Sequence, residues 1–376
     1  MTTARSSRVL VLNNYALDAV WEEVRRGDKP AHHLFGVDRF AAAGYEVRFV
    51  PRETRRVLAG LNYLLARGGV PLGDLEHQVA ALRLHEGDLL YCASGDRSGL
   101  LNLLRGLGWL RIPVVTVVHH PPNPGRLARW RAPVVRRLLR GADALPTLSR
   151  AVADAVNACA RLPAGAPPKA RALPWGPDGR FYGMPSADNP GVGVLAAGRT
   201  GRDFVTFGRG AARAGGAPAT ILCLAADVQP AFAEFTAGAV EVRTPPAGDA
   251  FTYPQMMAAL RGARALAVPL FDDPSNLAGL TSVVDALALG KPLVVTRHPL
   301  LDLDVEALGI GRSVAPGDIN GWAEAIAWFH AHPEESLRMG RAARRLVDEG
   351  FNSDAFAAGI LDIFARLAAG RPAFDP

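Results

Sequence analysis

Short apolar runs alternate with longer stretches in which apolar residues recur every three or four positions, and this alternation occurs twice along the chain. The short runs predict strands and the longer ones amphipathic helices, together the pattern of parallel α/β sheets. The first series places strands at 9–12, 46–50, 88–92, 114–118 and 144–147, with another before Pro174, and helices at 34–43, 98–107, 127–140 and 150–160. The second places strands at 192–197, 219–224, 240–243, 265–269, 293–296 and 313–315, and helices at 204–213, 253–260, 280–289 and 322–330. The tail is wholly helical, over 333–349 and 354–367. Breaker-rich segments at 174–179 and 185–193 separate the two series. The expected architecture is α/β, with two Rossmann-like doubly wound domains facing a central cleft. Residues 1–175 form the first, 176–190 a linker, 191–352 the second, and 353–376 a C-terminal helix and tail. Ligands of such sheets sit beyond the C-terminal ends of the strands.

Composition narrows the classes. Of 376 residues, 49% are hydrophobic and 21% charged, as in a packed globular protein. No apolar run reaches the roughly 18–20 residues needed to span a bilayer. Arg5 and Arg8 precede an apolar stretch too short for a signal-peptide core, so 9–12 reads as a first strand. Cys92, Cys159 and Cys223 are scattered without metal-ligand spacing, and an odd number argues against a disulfide framework. A cytoplasmic chain is expected. The formal net charge is +6, almost all from arginine, since lysine stands only at Lys29, Lys169 and Lys291. No nucleic-acid-binding signature accompanies that charge, so phosphorylated ligands are the expected partners.

Two segments suit a diphosphate. In Ala197-Gly198-Arg199-Thr200-Gly201-Arg202-Asp203 an apolar strand runs into glycines and two arginines, and a helix opens at Asp203. Glycine lets backbone approach an anion, a helix start offers N–H groups, and guanidinium forks match phosphate oxygens. In the second, Gly279, Leu280, Thr281 and Ser282 stand where a helix begins, and Asp285 lies one turn further on. The alternative is a capped helix whose dipole Asp285 complements.

These residues resemble the family-4 retaining glycosyltransferases, the glycosyl transferases group 1, of GT-B fold. The arginine loop resembles their phosphate loop. The run from Gly279 through Asp285 to Gly290-Lys291-Pro292 resembles their nucleotide-sugar signature, and Trp175-Gly176-Pro177-Asp178 with Phe181 resembles their linker pattern. The resemblance is strongest from Val192 onward. It implies a sugar transferred from a nucleotide-diphospho-sugar, UDP by default, with retention of configuration. It also implies a C-terminal helix that returns to the N-terminal, acceptor-binding domain. Arg199 and Arg202 would then hold the diphosphate, Thr281 and Ser282 would lie near the distal phosphate and Asp285 on the ribose, with Gly198, Gly279 and Leu280 in the same nucleotide-diphosphate site. The family pattern carries a first glutamate eight positions before that acid; here the position is Leu277, and Asn276 is the nearest polar candidate for reading the donor sugar.

In the first half, the strand before His119 and His120 ends in two histidines that can bond the sugar or pass a proton; the resemblance favours His119. His32 and His33, in a stretch after the first strand, and Ser94 and Asp96, at another strand end, are candidate acceptor-binding residues. Residues 126–140 form a basic amphipathic helix carrying Trp130, a candidate for peripheral membrane contact. No metal is expected, because Asp272-Asp273 is not a D-x-D motif, and no cofactor beyond the donor. The rival readings are a nucleotide-sugar epimerase or hydrolase of the same fold, and a non-catalytic two-domain small-molecule binding protein.

Overall fold

The computed structural model describes residues 7–52, 55–84, 87–183, 190–236, 238, 240–245 and 250–375, and for Ala66 and Asp96 the backbone alone. Residues 184–189, within the expected linker, lie outside the described residues. The chain divides into two units. One comprises Met1–Arg26, Ala31–Trp175 and Ser353–Pro376, the other Gly27–Pro30 and Gly176–Asn352.

The strands of the first unit are β1 (Arg8–Leu12), β2 (Glu46–Phe49), β3 (Leu89–Cys92), β4 (Val114–Thr116), β5 (Leu145–Thr147) and β6 (Ala170–Ala172). The first four pair in parallel in the order β2-β1-β3-β4, and β5 pairs with β6. Bridges from Val115 to Ala144 and Val118 to Thr147 connect the two groups. Strands β3 and β4 are wholly buried, as strands covered on both faces must be, while the edge strand β2 alternates in burial. The chain turns from β1 to β2 in one direction and from β3 to β4 in the other, so the topological switch falls between β1 and β3.

The helix expected over 34–43 is replaced by a 3-10 turn, Ala31–Leu34, and a single helical turn, Val37–Phe40. Phe35 and Gly36 between them are left-handed, with φ of 50° and 83°. A Cβ on Gly36 would lie 3.0 Å from the Cα of Ala357, so the break admits the helix Ser353–Ala368 at close range. That helix belongs to the first unit, as expected. The Phe364 ring packs 5.0 Å from Phe40 and 5.8 Å from Tyr91, and Asp354 pairs with Arg39 at 2.6 Å.

The second unit holds β7 (Val194–Ala197), β8 (Ala219–Leu222), β9 (Val240–Arg243), β10 (Ala265–Val268), β11 (Leu293–Thr296) and β12 (Gly311–Val314). They form one parallel sheet in the order β12-β11-β10-β7-β8-β9. One face is covered by helices Phe204–Arg213 and Ile319–Ala331, which bury Phe207, Trp322 and Phe329. The other carries Leu280–Ala288 and Pro333–Asp348, with Val283, Leu287 and Val347 buried. Asp203, Thr252 and Asp318 cap their helices by accepting backbone N–H bonds from Thr206, Gln255 and Gly321, each worth about 1 kcal/mol. The sheet grows from β7 through β8 to β9 on one side and from β10 through β11 to β12 on the other. Its switch point therefore lies between β7 and β10, where a ligand crevice is expected.

Candidate active site

Both motif segments of the second unit emerge at that switch point. The loop after β7 is laced to the loop after β10: Asp203 N–H donates to Pro269 O at 3.1 Å, and Phe271 N–H to Gly201 O at 3.2 Å. Gly198 has φ of 137°, and a Cβ there would lie 2.4 Å from the Arg202 guanidinium, so only glycine lets that side chain cross beneath the loop. Gly279 opens the helix Leu280–Ala288 at φ of 84° and offers no side-chain cap to its first turn. A Cβ at Gly279 would meet Val268 at 2.8 Å. Helix starts of this kind attract anions through their unbonded N–H groups and positive dipole end.

The two arginines have different settings. Arg199 is exposed. Arg202 is buried: it donates to Ala197 O at 3.2 Å, to Thr200 O at 2.8 Å and to Ser282 Oγ at 2.8 Å. Ser282 in turn donates to Ala197 O at 3.2 Å. Burial lowers the Arg202 pKa to about 10, against a pull from Asp285 that raises it, so it stays charged near neutrality. Arg202 and the Ser282 hydroxyl, both expected at a diphosphate, here bond each other and the β7 carbonyl, and they fix the loop to the helix. Leu280 and Thr281 are partly exposed at the same helix start.

Asp285, expected on a ribose, stands in the middle of the same helix. It is 3% exposed, and its Oδ1 accepts a short hydrogen bond from the Tyr182 hydroxyl. Burial raises its pKa to about 7, with the Tyr182 hydrogen bond and Arg202 pulling the other way. Asn276 is half-buried, its amide nitrogen 4.0 Å from the position a Cβ on Gly201 would occupy, so it borders the arginine loop. A pocket of about 400 Å³ opens beside the C-terminal ends of β8 and β9, lined by Leu222, Arg243, Thr244, Phe251, Gln255 and Ala259. Sequence reading missed it. Its signal is the capped helix Tyr253–Gly262 that directly follows the β9 loop.

In the first unit, a cavity of about 560 Å³ lies past the ends of β3 and β4 and brings together Ser94, His119 and His120. His119 Nε2 lies 2.8 Å from Ala93 O, so this nitrogen carries the proton and donates. The ring also packs 5.0 Å from Phe35, which stacks on Trp175 at 5.7 Å. His120 is exposed. His32 and His33 do not line the cavity. They follow the helix Leu17–Arg26 rather than the first strand, and His32 is buried edge-on to Trp175 at 5.2 Å, with burial holding its pKa well below the usual value. His32 is thus packed in the core beside Trp175. The Asp96 side chain lies outside the described residues. Residues not foreseen here are Asn102 and Thr116, both buried and both lining the cavity.

Among the described residues, no three His, Cys, Asp or Glu side chains gather to hold a metal ion. Burial raises the thiol pKa of Cys92 to about 12 and of Cys223 to about 11, so both stay protonated and unreactive. Among the described residues, no helix is long and apolar enough to cross a membrane.

Residues 35–167 match the sequence family described as Glycosyltransferase Family 4. The match falls on the first half, whereas the motif resemblance was strongest in the second. No curated protein sequence matches the chain. Solved structures similar to it include the sucrose-phosphate synthase of Thermosynechococcus elongatus, at 17% identity and a TM-score of 0.68, covering 97% of this chain and 100% of that one. A glycosyltransferase of Rickettsia africae is similar at 12% identity and a TM-score of 0.66, over 97% and 99%. Anabaena HepE, solved in complex with UDP, is similar at 14% identity and a TM-score of 0.61, over 95% and 99%. The fold is that of the GT-B glycosyltransferases.

Proposed function

We propose that the chain transfers a sugar from a nucleotide-diphospho-sugar, bound by the second unit, to an acceptor bound by the first. The observation that carries this reading is the pairing of the Gly198–Arg202 loop with the uncapped helix start at Gly279, side by side at the switch point of a parallel sheet. Breaking the sugar–phosphate bond leaves negative charge on the diphosphate. The first-turn N–H groups of Leu280–Ala288 and the exposed Arg199 stabilise that charge where it develops, in a geometry that Arg202 and Ser282 hold ready. The pocket beside β8 and β9 lies along the same sheet edge and accommodates the base. UDP is the proposed nucleotide, supported by the UDP complex of HepE. Retention of configuration is proposed on the motif resemblance, and no metal takes part because backbone N–H groups and arginine neutralise the leaving group. Asn276, bordering the loop, reads the sugar.

The test is calorimetric titration with UDP, then release of UDP from a panel of UDP-sugars with and without added acceptors. No binding of UDP or any other nucleoside diphosphate would remove the reading.

We further propose that the protein works in the cytoplasm at a membrane surface, through the helix Ala128–Gly141. Its inner face buries Val135, Leu138 and Leu139, while Trp130 is 79% exposed among the exposed Arg126, Arg129 and Arg137. An exposed indole among arginines suits the anionic interface. Sedimentation with phosphatidylglycerol vesicles that is lost in Trp130→Ser is expected; equal sedimentation of the variant would sink this part.

A further inference from the structure

The helix Arg56–Arg67 of the first unit turns its apolar side outward. None of its described side chains is buried. Leu58, Asn62 and Leu65 are half-buried, whereas Val57, Leu61 and Leu64 are 83%, 45% and 66% exposed. Positions i, i+4 and i+7 fall on one side of a helix, so these three form a single apolar stripe facing away from the core. Single exposed apolar side chains need no explanation, but a contiguous stripe marks a surface of interaction.

The charge around the stripe identifies what covers it. Residues 54–73 hold no acid, while Arg55, Arg56 and Arg67 stand exposed at the two ends of the helix. Arg67 Nη1 donates to the Tyr63 hydroxyl at 2.8 Å, with the guanidinium 5.6 Å from the ring centroid, so the exposed Tyr63 is held beside an arginine. Just past the helix, a Cβ on Gly69 would lie 3.3 Å from the Arg131 side chain, which brings this segment against the helix Ala128–Gly141. Residues 97–142, which include that second helix, hold no acid either. A two-fold contact with another copy of the chain would pair this patch with itself and bring arginine to arginine, at an electrostatic cost. An anionic bilayer suits both features: its headgroups attract the arginines, tyrosine is at home at the interface, and the stripe reaches the acyl boundary.

We propose that Arg56–Arg67 lies in the plane of an anionic lipid surface, with Val57, Leu61 and Leu64 inserted at the acyl boundary and Arg56 and Arg67 on the headgroups. The inference rests on the membrane reading given above for its setting, but on different residues, and it adds insertion to what Trp130 and its neighbouring arginines supply. Insertion has its own signature, because burial of apolar surface persists at salt concentrations that screen attraction between charges.

The experiment sediments the full chain with phosphatidylglycerol–phosphatidylcholine vesicles at low salt and at about 1 M salt, where the Debye length is about 3 Å. Wild-type binding should persist in part at the higher salt. The triple variant Val57→Ser, Leu61→Ser, Leu64→Ser should bind at least about tenfold more weakly at both, with its melting temperature unchanged because the three side chains are exposed. If the triple variant melts early, Leu61→Trp gives a second measurement: lipids brominated along their acyl chains should quench the fluorescence that the added indole contributes beyond the wild type. The proposal is overturned if the triple variant binds like the wild type, if wild-type binding vanishes at about 1 M salt, or if the added indole escapes quenching. A wild type that sediments as a dimer without vesicles, with the triple variant a monomer, also overturns it and assigns the stripe to a second copy. Loss of binding in the triple variant with Trp130→Ser unaffected upholds Arg56–Arg67 and removes the part given to Ala128–Gly141, and the opposite pattern does the reverse. Absence of wild-type binding to anionic vesicles removes both, while UDP titration of the same protein reports on the transferase reading separately.

Discussion

The Tyr182 hydroxyl donates to the Asp285 carboxylate, joining the short helix Gly179–Tyr182 to the middle of the helix Leu280–Ala288 within the second unit. Burial raises Asp285 from 3.8 to about 7. Between those values the folded chain holds a proton that the unfolded chain has lost. This group's contribution to stability is therefore complete below about pH 4 and is lost as pH rises through about 7. Asp285→Asn needs no proton, so the melting temperature of the wild type should fall relative to the variant between about pH 4 and about pH 7. Parallel curves would show that Asp285 titrates normally.

Arg199 and Arg202 should separate by phenotype. Arg199→Ala, at an exposed position, should lower kcat/KM by roughly 10²–10³ with unchanged stability. Arg202→Ala leaves Ser282 and two carbonyls without their buried donor and should cost about 1–3 kcal/mol in urea denaturation as well as activity. An Arg202→Ala protein as stable as wild type would contradict the positioning role.

His119→Ala should reduce kcat more than UDP affinity, because the ring is held at the cavity of the first unit by Ala93 O. His120→Ala, at an exposed position, should do less. The reverse order in steady-state kinetics would shift the functional histidine by one residue.

Asn276→Ala should alter the ratio of kcat/KM between UDP-sugars while leaving affinity for UDP nearly unchanged. Competition assays with paired donors measure this, and a uniform loss across donors would place sugar recognition elsewhere.

Phe364→Ala removes a ring buried against Phe40 and Tyr91 and should destabilise the chain by about 3–5 kcal/mol. Affinity of the remaining folded protein for UDP should not change, and a loss of both would count against separate roles for the two units.

The alternation of apolar runs and helices was legible because each buried parallel strand must be apolar on both faces, as in β7, β10 and β11. The glycine and arginine positions of the loops after β7 and β10 were legible as types but not as settings. Nothing in the spacing of Arg199 and Arg202 says that one lies exposed and the other under the loop, because that depends on the close approach at Gly198. The helix expected over 34–43 failed for a similar reason, since its break at Gly36 answers to Ala357, more than three hundred positions away in sequence. The cavity of the first unit is assembled from side chains between Asn14 and Leu145, and no local pattern marks Asn102 as part of it.

The place of Ser353–Pro376 in the first unit bears on how the chain is made. Apart from Gly27–Pro30, the second unit is one continuous stretch, Gly176–Asn352, and can close as soon as it leaves the ribosome. The first unit begins earlier yet lacks the helix that covers Phe40 and Tyr91 until residues 353–368 have been synthesised. Until then those rings have no cover from Phe364, and apolar surface left open during synthesis invites aggregation and engages chaperones. Order of maturation therefore runs opposite to order of translation: the half made first is the half finished last.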